Sequence, residues 1–80
     1  MHEVSLVVSL LDEVQKASRH HRFDKVQTLR LKIGQRCGVN LEALEFCFPA
    51  VVKGTCLEGA VLEIETSMGR EFQIKDLDVF

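Results

Sequence analysis

The chain opens Met1-His2-Glu3, which places an amine, a backbone amide and an imidazole within reach of one another. A bulky second residue protects an initiator methionine from removal, so a free amine on Met1 is expected. Such an amine has a pKa of about 7.7–8.0 and is partly deprotonated near neutral pH. Amine and His2 amide would close a five-membered chelate; the amide and Nδ1 of His2 would close a six-membered one. With the amide deprotonated, three nitrogens lie in a plane, the tetragonal arrangement preferred by Cu(II) and Ni(II). A histidine at position 2 is a weak signal by itself. Its plain alternative is an exposed, poorly ordered terminus.

Other reactive side chains are less promising. His20 and His21 are adjacent, and neighbouring helical positions point about 100° apart, so the pair is poorly placed to chelate one ion. A solvated pair at a helix C-terminus fits the dipole better. Cys37, Cys47 and Cys56 are odd in number and contain no CxxC pair, which disfavours a disulfide framework and a zinc site. Cys47, between Phe46 and Phe48, reads as a small apolar packing residue. Glu42, Glu45, Glu63, Glu65, Asp76 and Asp78 fall where exposed faces are expected. Ser5, Ser9 and Ser18 occupy no strained strand-to-helix turn, and there is no glycine-rich phosphate loop. The chain does not read as an enzyme.

Composition narrows the classes further. Eighty residues make one domain, with a single core. A net charge of −2 and the absence of Trp and Tyr argue against nucleic-acid binding. No apolar run approaches the ~18 residues of a membrane span, and the polar start does not read as a signal peptide. The cytoplasm is the expected location.

The elements that must position the terminus follow from periodicity. Val4, Val7, Val8, Leu11 and Val14 recur at helical spacing, predicting a helix over 4–20. Residues 25–33, "KVQTLRLKI", alternate as a strand with Leu29, Leu31 and Ile33 inward. Asn40 is the expected N-cap of a second helix that runs toward Gly54, and Pro49 predicts a kink or break near Phe48. Residues 60–65 alternate again, with Ala60, Leu62 and Ile64 inward. A third strand over 71–80 changes phase between Ile74 and Leu77, which calls for a bulge near Lys75-Asp76. Gly69, in the short "TSMGR" between these strands, suits a hairpin turn. The predicted fold is α+β, in the order α-β-α-β-β, with two helices packed on one face of a three-stranded mixed sheet.

Taken together, "MHEVSLVVSLLDEVQ", "VQTLRLKIGQRCGVNLEALEFCFPAVVKGTCLEGAVLEIE" and "REFQIKDLDVF" resemble the HypA/HybF family of hydrogenase nickel-insertion proteins across nearly the whole chain. The resemblance implies a metallochaperone that binds Ni(II) through Met1, His2 and Glu3, using the terminal amine, the His2 ring and the amides of His2 and Glu3. The Glu3 carboxylate is expected to orient the His2 ring or to meet a partner. The implied partners are a hydrogenase-maturation GTPase and the large subunit of nickel–iron hydrogenase, with urease as a further target. Two features depart from the family. A zinc ribbon with two CxxC pairs is expected between 65 and 71, where a short turn stands instead, so residues 1–80 read as a single nickel-binding domain with no zinc. Pro49 stands where a non-proline helix residue is expected. The alternative function is a metal-independent interaction domain that docks to a maturation partner. The expected assembly is a monomer or a weak, strand-swapped dimer.

Overall fold

The structure, a computed structural model, describes residues 2–80. Its elements are α1 (His2–His21), β1 (Val26–Gly34), α2 (Leu41–Val51), β2 (Val61–Ser67) and β3 (Phe72–Val79). The α+β fold and its order are those expected from periodicity.

The α1 helix begins two residues earlier than the apolar stripe requires, so His2 and Glu3 lie in its first turn. Glu3 there, and Arg19, His20 and His21 in the last turn, complement the helix dipole. Val7, Leu10 and Val14 are buried along its inner face. The helix stops at Arg22, whose φ of 57° is left-handed. The Phe23 amide then donates to the Ser18 carbonyl at 3.2 Å, and the Ser18 hydroxyl donates to the Phe23 carbonyl at 2.7 Å. The first bond satisfies a carbonyl that the helix end leaves open, and the second ties the exiting chain back to the last turns.

Asn40 caps α2 as expected: its Oδ1 accepts the Ala43 amide at 3.0 Å. The expected break at Phe48 does not occur. The helix continues through Pro49 to Val51, and the Val52 amide still bonds the Phe48 carbonyl at 3.1 Å. Pro49 lies in the last turn with its ring exposed, so the lost N–H interrupts little. The C-cap is Val52 rather than a residue abutting Gly54. Beyond it, successive turns at 52–60 deliver Leu57, fully buried, into the core.

The sheet order is β2-β1-β3, with β1 parallel to β2 and antiparallel to β3. This corrects the hairpin expected at Gly69. β2 and β3 do not pair; they flank β1, and residues 68–71 cross its C-terminal end. The physical reason is at Gly34, the last residue of β1. A Cβ there would collide with the Gly69 carbonyl and approach the Arg70 nitrogen to 2.7 Å. The crossing is held by backbone bonds from Gly34 to Glu71 (2.7 Å), Gln35 to Ser67 (2.8 Å) and Arg36 to Gly69 (2.8 Å).

The bulge in β3 falls where the phase change placed it. Arg30 pairs with Asp76 and Leu31 with Ile74, leaving Lys75 without an opposite residue. That one-residue shift brings Phe72, Ile74 and Leu77 onto the core side. Inner residues of β1 (Leu29, Leu31, Ile33) join Val7, Leu10 and Val14 of α1 and Leu44 and Phe48 of α2 in one buried cluster. The other sheet face is polar. There Arg30 donates to Glu63 at 3.0 Å, Asp76 at 2.9 Å and Asp78 at 2.8 Å, and Lys75 meets Glu65 at 2.6 Å.

Candidate metal centre

The first turn of α1 carries two of the three expected site residues, His2 and Glu3. Met1 lies outside the described residues. A helix's first N–H groups have no intrahelical acceptor, so the amides at this end are not locked into the helical ladder. The His2 side chain is 62% exposed, whereas that of Glu3 is 15% exposed. His2 faces solvent, and Glu3 is turned toward the body of the domain.

The Glu3 carboxylate makes two contacts through the same oxygen. Oε2 lies 3.5 Å from Nδ1 of His2 and accepts the backbone N–H of Asn40 at 3.2 Å. The Asn40 N–H, with smaller help from the Glu3 amide and His2, holds the carboxyl below the usual carboxylate range. Glu3 is therefore an anion at neutral pH, with its carboxylate beside the imidazole. The nitrogen it faces, Nδ1, is the one that would close the six-membered chelate with the His2 amide.

Asn40 was legible only as a helix cap. Its second role, holding Glu3 through its own N–H, links residues 37 apart in sequence. No local spacing marks such a pair; the packing of α1 against α2 creates it.

The remaining candidates stay apart. His20 and His21 sit at the far end of α1, about 27 Å from His2 at 1.5 Å rise per residue. Their exposed rings lie edge to face with centroids 4.8 Å apart. Cys47 packs against the core and its Sγ points to the Leu44 carbonyl at 3.5 Å. Burial pushes the Cys56 thiol up. Among the described residues, no three His, Cys, Asp or Glu side chains gather as a metal-holding group.

A family model described as hydrogenase/urease nickel incorporation, metallochaperone, hypA matches residues 1–72. The chain is 47% identical over 70 residues to the hydrogenase maturation factor HypA of Cupriavidus necator, a match covering 88% of this chain and 59% of that protein. It is 46% identical to the HypA of Polaromonas naphthalenivorans over 88% of this chain and 61% of the relative. Against the HypA of Alkalilimnicola ehrlichii the identity is 39%, over 90% and 64%. The chain thus spans about three fifths of the length of the curated relatives it matches. With nine tenths of its length inside the family match, the chain belongs to the HypA family of hydrogenase and urease nickel-incorporation metallochaperones.

Proposed function

We propose that this domain captures Ni(II) at Met1-His2-Glu3 and hands it on during hydrogenase maturation, with urease as a further target. The observation that carries the reading is the exposed His2 ring in the first turn of α1, beside an anionic Glu3 carboxylate that the Asn40 N–H holds in place. Nickel is cargo here, so the site must bind and also let go. A site on a terminus, with one exposed imidazole and backbone nitrogens, leaves room for a recipient's ligands to attack. The Met1 amine, the His2 amide and Nδ1 supply the first donors, with the Glu3 amide completing the set implied by the family. The terminal amine and the backbone amide must give up protons to bind Ni(II), so loading releases protons and weakens as pH falls. Cu(II) precedes Ni(II) in intrinsic affinity for such donors, so selectivity comes from metal availability and partners.

The short crossing at 68–71 takes the place of the family's zinc ribbon in this reading, and zinc has no part in the function. No described helix is long and apolar enough to cross a membrane. A cytoplasmic metallochaperone acting by transfer rather than catalysis is consistent with these features.

Titration of Ni(II) into the native-terminus protein should give a yellow, diamagnetic complex. His2→Ala should lose it, and a tag fused ahead of Met1 should weaken it by converting the amine to an amide. Equal nickel affinity in wild type and His2→Ala would overturn the reading.

A further inference from the structure

The outer stripe of α2 has features of a contact surface that capture of nickel does not use. Glu42, Glu45, Phe46 and Pro49 recur at spacings of three and four and so share one side of the helix. All four are exposed, and Phe46 is 87% exposed although Leu44 and Phe48 on the opposite side are buried. Single exposed apolar residues are common on protein surfaces. Phe46 differs in standing mid-helix on a regular backbone, in a shallow depression lined by Asn40, Glu42, Ala43 and Glu45.

The charges around it are uncompensated. The α2 helix contains no Lys, Arg or His, and neither Glu42 nor Glu45 has a cationic partner among the described residues. The carboxylates of the open sheet face are different, since Arg30 and Lys75 occupy them. An exposed aromatic ring beside two unpaired carboxylates complements a guanidinium or ammonium carried next to an apolar side chain. The depression is also continuous with the proposed nickel end, because Asn40 both lines it and holds Glu3.

We propose that the Glu42–Glu45–Phe46–Pro49 stripe docks a basic, arginine- or lysine-bearing apolar segment of a partner protein, bringing that partner alongside the proposed nickel terminus. Its placement rests on the nickel reading; the docking itself does not require metal. A second copy of this chain could offer the basic end of α1, with Lys16, Arg19 and Arg22, or Arg70 beside the exposed Met68, and either contact would be head-to-tail and would not close on itself.

The test uses the isotope-labelled 80-residue chain without nickel, with the hydrogenase-maturation GTPase and the hydrogenase large subunit as probes. One of them should shift the amide signals of Glu42, Glu45 and Phe46. Phe46→Ala and the double variant Glu42→Lys/Glu45→Lys should each weaken that binding at least about tenfold, the scale of a central interface residue. Because these side chains are exposed, unchanged circular dichroism and unchanged nickel titration should accompany the loss. Shifts confined to the sheet face or the α1 C-terminus, wild-type binding by the variants, or no binding of either probe would overturn the proposal. So would concentration-dependent self-association abolished by Phe46→Ala, which would make a second copy the occupant. Loss of nickel binding with docking intact would instead remove the nickel reading alone.

Discussion

Glu3 is the residue on which the proposed amino-terminal site turns, because a single carboxylate oxygen meets both His2 and the start of α2. Its folded pKa is depressed, so its charge contributes stability above the unfolded value of about 4.3. That contribution is lost as pH falls through the lower folded value. Glu3→Gln can still accept the Asn40 N–H but without charge. The variant should therefore be less stable than wild type in urea unfolding at about pH 6–7, well above the carboxylate range. The gap between the two should close as pH drops below about 4. A gap independent of pH across that window would show that shape rather than charge matters at this position.

At the scale of elements, the crossing of 68–71 over the end of β1 is the most constrained feature of the sheet. Parallel pairing of β1 with β2 requires the chain to return from Ser67 to Phe72 across a strand that lies between them. Gly34 permits that close approach because it has no Cβ. A Cβ at Gly69 would meet the Glu71 side chain at 2.6 Å instead, and that carboxylate can swing away at the expense of its 2.6 Å bond from the Ser67 hydroxyl. Gly34→Ala should therefore destabilise the domain by about 1–3 kcal/mol in denaturant titration, because backbone must move. Gly69→Ala should cost distinctly less. Equal effects would mean that the crossing is more yielding than its geometry implies.

At the scale of the whole molecule, one buried cluster holds the helices to the sheet, as the limited size of an 80-residue chain demands. Leu44 is fully buried between the elements and lies one turn after the Asn40 cap. Leu44→Ala should cost about 2–5 kcal/mol, a large share of the roughly 5–15 kcal/mol typical of a folded domain. Unfolding should remain a single transition with a lower midpoint and an unchanged denaturant slope. Two separated transitions would show that α1 and α2 do not share a core with the sheet.

Much of this was determined by the sequence alone, and the reason is that local signals act over a few residues. Apolar periodicity located both helices and all three strands, the Asn40 cap followed from side-chain chemistry, and the phase slip between Ile74 and Leu77 located the bulge at Lys75. The His2-Glu3 end was visible as donor chemistry, and the family could be read from motifs spread over nearly the whole chain. Tertiary structure decided what depends on distant partners. Pro49 did not break α2, because its position in the final turn left few bonds to lose. Gly69 serves a crossing rather than a hairpin, because strand pairing is settled by which edge of β1 each strand finds. Asn40 became the holder of Glu3 only when α1 and α2 packed together, and Phe46 was left exposed beside Glu42 and Glu45 because α2 buries Leu44 and Phe48 instead. Chemistry carried by one short segment is legible in the chain; chemistry shared between segments waits for the fold.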